Sequence, residues 1–170
     1  EAKKLMEEAG YPNGEGFPEM TYSTNDTGYH KAVAEYLQQA WGELGVQVKV
    51  DIVEWASFTP MRRDGEYISA RNGWVGDYDD PSNMLELQYT SNGNNDANYS
   101  SEAFDKQIEI ARASADVNER SVALHKAEDI MMEDMAIIPV AYYNDFYLQK
   151  AKISGMWHSA YGYWYFMYIS

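Results

Sequence analysis

Between residues 20 and 54 the spacing of apolar side chains changes twice, and that change limits the chain to few architectures. Residues 20–24 suit a strand. After the turn-forming Asn25-Asp26-Thr27-Gly28, apolar Val33, Leu37, Ala40, Trp41 and Leu44 recur at helical spacing, and Gly45 stands where a C-terminal cap belongs. Val46, Val48, Val50 and Ile52 then alternate with Gln47, Lys49, Asp51 and Val53, the period of two that puts one face of a strand on a core. A helix joining neighbouring parallel strands crosses over right-handed almost without exception. The segment therefore reads as a βαβ unit, and the fold class as α/β, a sheet flanked by helices.

The flanking segments extend this pattern. Residues 2–9 read as a short helix ended by Gly10, followed by the turn-rich Tyr11-Pro12-Asn13-Gly14-Glu15-Gly16. A short helix over 58–63 and a strand over 67–75 come next. Asp80-Pro81 opens a short helix through Tyr89, and residues 90–100, rich in Asn, Gly, Asp and Ser, form a loop. Phe104, Ile108 and Ala111 share one helical register, and Leu124, Ala127, Met131 and Met135 share another. The polar Asp116-Val117-Asn118 between them predicts an antiparallel helical hairpin, with its methionines as core filler. The apolar 137–143 is expected to be a strand, at an edge because of Pro139. Residues 161–168 carry six aromatic rings in eight positions and no charge, and such a segment needs a cover, its own core or another surface.

Composition excludes more than it names. Asp and Glu number 27 against 13 Lys and Arg, a formal net charge of −14, so neither nucleic acid nor an anionic membrane surface is an expected partner. No cysteine is present, which removes disulfides, thiol catalysis and Cys-ligated zinc. No run of about 18 apolar residues is available for a membrane span. The opening Glu1-Ala2-Lys3-Lys4-Leu5 lacks the pattern of a signal peptide, so the chain is expected to begin mid-protein, as a fragment.

Chemistry concentrates in one stretch. Arg71-Asn72-Gly73-Trp74-Val75-Gly76-Asp77-Tyr78-Asp79-Asp80-Pro81 runs from the end of an expected strand into an acidic loop, and open α/β sheets place ligands at such strand ends. As a calcium loop it fails: the sixth position from Asp77 is Ser82 rather than Gly, and the twelfth is Gln88 rather than Glu. Asp79 and Asp80 are a poor glycosidase pair, because adjacent residues point apart and the two carboxyls must stand about 5 to 9 Å from each other. His30, His125 and His158 are scattered, no Gly-x-Ser-x-Gly elbow is present, and surface or packing roles suit all three, with His30 at a helix start open to ligand contact. No phosphate-binding glycine loop or dinucleotide fingerprint occurs, so no cofactor and no metal is expected.

These pieces, in this order, resemble a known family. Gly73 to Pro81 as quoted, then Thr90-Ser91 with Gly93-Asn94-Asn95, then Tyr99-Ser100-Ser101 leading into Phe104-Asp105, are similar to the C-terminal lobe of family 5 extracellular solute-binding proteins, the oligopeptide-binding proteins of ABC transporters. So are Glu8-Ala9-Gly10-Tyr11, Leu44-Gly45-Val46 with Trp55, Arg120 leading to Lys126-Ala127-Glu128, and Ile137-Ile138-Pro139-Val140 before Tyr142-Tyr143. The resemblance covers nearly the whole chain.

The resemblance implies one lobe of a periplasmic-binding-protein-like clamshell with a mixed sheet. Its role would be to capture an oligopeptide outside the cell membrane or in the periplasm and deliver it to an ABC permease, without catalysis. It also implies that Asp77, within the Gly73, Trp74, Val75, Tyr78 neighbourhood, meets the peptide α-ammonium group. Arg62 and Arg71 stand at places where the family meets the peptide carboxylate, and His30 falls close to a further such position. Pairing of the two arginines with Glu66 or Asp64 is the other reading. Residues 1–156 are then the substrate-binding lobe and 157–170 an aromatic tail, docking on a second copy or on its own lobe. The alternative function is a carbohydrate-binding or glycoside-processing domain, since 25 aromatic residues offer many sugar platforms.

Overall fold

The computed structural model describes residues 1–144, 146–159 and 162–170. Its contacts divide the chain into two compact units. The first comprises residues 1–73 and 96–98, the second residues 74–95 and 99–170.

The first unit opens with helix α1 (Ala2–Glu8) and carries strand β1 (Met20–Asn25), helix α2 (Gly28–Gly42), strand β2 (Val48–Val53), helix α3 (Trp55–Arg63) and strand β3 (Ser69–Ala70). The expected βαβ unit is present: β1 and β2 pair in parallel from Met20 against Val48 to Asn25 against Val53. β3 adds on the other side, also parallel, giving the order β2-β1-β3. Thr27 Oγ1 caps α2 by accepting from His30 N–H, and the Glu54 carboxylate caps α3 by accepting from Ala56 N–H. Gly45 has φ +83°, and a Cβ there would lie 1.8 Å from the Asn13 carbonyl oxygen. Two backbone segments thus touch where only glycine fits. The core gathers Tyr22, Ala34, Val46 and Phe58, with Tyr22 edge-on to Trp41.

Two expectations for this unit change. The alternation of β2 does not hold to its end: Val48 and Val50 are half-buried, but Ile52 is exposed. The strand expected over 67–75 is paired only at Ser69–Ala70, with one further bond from Arg71 N–H to Ser23 O at 2.9 Å. It stops there because the Asn72 side chain takes the Gly73 N–H at 2.7 Å, a local bond that competes with a ladder.

The second unit contains helix α4 (Ser82–Leu85) with a 3-10 turn behind it, helix α5 (Glu102–Ala113), helix α6 (Val117–Glu133) and the short strands β4 (Trp157–His158) and β5 (Trp164–Tyr165). Ser101 caps α5 through Phe104 N–H, and Asp116 caps α6 through Asn118 and Glu119 N–H. The start of α5 meets the end of α6, since Tyr99 donates to Asp134 at 2.6 Å. At the opposite end Arg120 donates to Ala111 O at 2.8 Å, so the hairpin is antiparallel as expected. Phe104, Ile108 and Ala111 interlock with Ala123, Leu124, Ala127 and Met131 in one core, and Leu85 joins them.

Met135 departs from that register. It is exposed, lies beyond the last turn of α6 and has φ +53°, so the helical period has ended before it. Residues 137–143 form no strand. Pro139 lacks a ladder donor, and among the described residues no strand runs beside this segment to pair with it. The aromatic end folds on itself: β4 and β5 pair antiparallel, Trp157 and Tyr165 stack at 4.1 Å, and Ser154 and Ser170 exchange backbone bonds. Tyr163, Phe166, Met167 and Tyr168 remain exposed, and Tyr161 of the aromatic run lies outside the described residues.

Candidate functional site

The sequence-derived site residues fall in both units. In the first unit, the order β2-β1-β3 means that the chain leaves β1 toward one side and later crosses to the other. This puts the topological switch point at the carboxyl ends of β1 and β3, where open α/β sheets bind ligands. His30 and Arg71 come from those two ends, His30 in the first turn of α2 after β1 and Arg71 immediately after β3.

His30 and Arg71, far apart in sequence, are brought within electrostatic reach of each other. Partial burial first, and then the positive charge of Arg71, lowers the His30 pKa, which favours the neutral imidazole. Its Nδ1 lies 2.7 Å from Thr27 Oγ1. A cation beside a neutral imidazole at the carboxyl ends of two strands is an arrangement that can receive a carboxylate.

Arg62 is placed differently. Its side chain and that of Asp96 are each 10% exposed, and Nη2 sits 3.0 Å from Asp96 Oδ2. Nη1 donates to the Asn72 side-chain oxygen and to Arg71 O at 3.3 Å, and the guanidinium lies over the Phe58 ring. Burial lowers its pKa and the Asp96 charge opposes that shift. The acid that pairs with it is therefore Asp96, rather than Glu66 or Asp64. Tyr67 donates its hydroxyl to Asp96 O at 2.6 Å, so the 96–98 segment is built into this unit from two sides. Arg62 thereby holds the backbone and side chain from which Gly73, itself exposed, follows.

In the second unit, Trp74, Val75, Asp77 and Tyr78 are all exposed on the loop before α4. Among the described residues none donates a hydrogen bond to the Asp77 carboxylate, whose backbone N–H donates to Asn83 Oδ1 at 3.3 Å. The Trp74 indole donates to that same oxygen at 2.9 Å, and the Tyr78 hydroxyl lies 3.4 Å from Ser82 Oγ. Asp80 turns inward: Oδ1 accepts Ser82 N–H at 2.9 Å and Oδ2 accepts Arg120 at 2.7 Å. Hydrogen bonds from Ser82 first, and then the Arg120 contact, hold its carboxyl below the usual carboxylate range. The acids of this loop thus differ in use, Asp80 fastening it while Asp77 and Asp79 face solvent.

Asp96 and Asn83 were not marked by the sequence. Asp96 lies in a loop of similar polar residues, 34 positions from its partner. Asn83 follows Asp80-Pro81-Ser82, which announces a helix start and nothing about which side chain faces back. Among the described residues no cluster of three His, Cys, Asp or Glu side chains is placed to hold a metal, and no helix is long and apolar enough to cross a membrane.

Comparison with known proteins assigns this geometry to a family. Residues 1–96 match the model of bacterial extracellular solute-binding proteins, family 5. The periplasmic oligopeptide-binding protein OppA of Salmonella typhimurium is 38% identical over 91% of this chain and 28% of its own length. The oligopeptide-binding protein OppA of Bacillus subtilis is 31% identical, again over 91% of this chain and 29% of its own. The structure of Haemophilus influenzae OppA in complex with the peptide RPPGFSPFR superposes with a TM-score of 0.81 at 31% identity, covering 91% of this chain and 30% of that one. The chain thus spans under a third of the length of the curated relatives it matches. Its fold is the α/β fold of one lobe of the periplasmic peptide-binding proteins, with both parallel and antiparallel strand pairs.

Proposed function

From the premise that this chain belongs to the bacterial extracellular solute-binding proteins of family 5, we propose that it is a lobe that captures oligopeptides for an ABC permease at the outer face of the cell membrane or in the periplasm. The observation that carries the reading is Asp77, an exposed carboxylate with no hydrogen-bond donor among the described residues, on a loop whose Trp74 and Asp80 side chains are bonded internally. In this reading Asp77 meets the peptide α-ammonium group, with Gly73, Trp74, Val75 and Tyr78 beside it in sequence. Arg71 and His30 meet the peptide carboxylate, and Arg62 supports them with its buried charge and its hold on Arg71 and Asn72. A charged hydrogen bond of this type is worth roughly 1.5 to 3 kcal/mol, about ten- to a hundredfold in affinity.

Residues 1–156 act as the binding lobe and 157–170 as a docking segment. In this reading the ligand is bound by closure of a protein of the relatives' full length over it, and the chain alone binds weakly because it supplies only part of the contact surface. The test is calorimetry of short peptides with free and N-acetylated amino termini, alongside oligosaccharides. A free amino terminus is expected to bind at least about tenfold more tightly than its acetylated form, with Asp77→Asn removing the difference. Equal affinity of both peptides for the unaltered protein would take Asp77 out of its role, and tight oligosaccharide binding would move the assignment to the carbohydrate class.

A further inference from the structure

Asn83 lies in α4, is 7% exposed and uses one atom twice. Its Oδ1 accepts from the Trp74 indole at 2.9 Å and from the Asp77 backbone N–H at 3.3 Å. An amide oxygen has the lone pairs for both bonds, and removing it leaves two donors without their acceptor. The helix that carries Asn83 is itself fastened. Asp80 takes Ser82 N–H on one oxygen and Arg120 on the other, and Arg120 also donates to Ala111 O. Asn83 N–H in turn donates to Asp80 O at 3.0 Å. Glycine does not set this part of the loop: a Cβ on Gly76 would meet Met84 Cε at 3.6 Å, an ordinary contact.

We propose that Asn83 is a positioning residue for amino-terminus recognition. Its side-chain oxygen ties the Trp74 ring to the Asp77 backbone, so an incoming ammonium group meets a carboxylate whose backbone is already in place and whose side chain alone has still to order. Preset geometry of this kind raises affinity by lowering the ordering cost of binding. The inference rests on the reading of Asp77 given above.

The test is an NMR titration of the 170-residue chain with trialanine and N-acetyl-trialanine, taking the ratio of the two affinities for the unaltered chain, Asp77→Asn, Asn83→Ala and Asn83→Asp. Asn83→Ala is expected to cut the preference for the free amine by about five- to tenfold, leaving affinity for the acetylated peptide unchanged. Asn83→Asp, which keeps an acceptor oxygen, is expected to retain the preference. An intact preference in Asn83→Ala, with Asp77→Asn having lost it, overturns the role of Asn83 alone. No preference in the unaltered chain overturns the Asp77 reading, and the recognition role of Asn83 with it. Hydrogen exchange of the Trp74 indole and Asp77 amide in the unaltered chain decides the tie even if Asn83→Ala does not fold. Slow exchange supports it, and exchange at the rate of open loop amides overturns it.

Discussion

Arg62 and Asp96 show how far a single pair can matter in a small unit. Both side chains are almost fully withdrawn from water, so removing one leaves the other as an uncompensated buried charge. Arg62→Met is expected to cost about 3 to 5 kcal/mol in urea unfolding, and Arg62→Met with Asp96→Leu much less, because the pair is then replaced by apolar volume. Asp80 gives a pH-dependent counterpart. Its carboxyl is held below its unfolded value, so its contribution is complete above about pH 4 and is lost as pH falls through the depressed folded value. Urea midpoints measured across that acid range should fall less steeply for Asp80→Asn than for the unaltered chain. At this scale sequence reasoning found the charged groups and missed their partners. Asp77, Asp79 and Asp80 are indistinguishable as letters, and only the approach of Arg120, 40 positions on, separates the fastened carboxylate from the two outward ones.

At the scale of elements, what could be read locally was read. Apolar periodicity marked α2, α5 and α6, and the alternation after Gly45 marked β2, because helix and strand burial repeat within a few residues. Pairing across distance was less legible. The 67–75 segment has strand-like composition, but Asn72 ends its ladder, and 137–143 has the residues of a strand without a neighbour to bond among the described residues. The α5–α6 pair encloses a buried apolar core, and Phe104 is wholly buried within it, edge-on to Tyr99. Phe104→Ala is therefore expected to cost about 3 to 5 kcal/mol in chemical unfolding, whereas Val122→Ala on the exposed side of α6 should stay within about 0.5 kcal/mol.

For the whole molecule, the aromatic end remains the conspicuous surface. Its rings stack on one another, yet the adjacent Phe166, Met167 and Tyr168 stay exposed, an apolar run that a second surface could cover. Light scattering after size exclusion is expected to show self-association of the complete chain and a monomer once residues 157–170 are removed. Strict monomers in both cases would reject docking between copies. The connectivity of the two units carries a consequence of its own. Residues 96–98 belong to the first unit while their neighbours on both sides belong to the second. A protease that opened the bond between Gly73 and Trp74 would not release the first unit whole, because the fragment ending at Gly73 would leave behind the counter-ion of its own Arg62. Covalent scission and structural autonomy are therefore separate events in this chain, and a nicked molecule has an electrostatic reason to stay assembled.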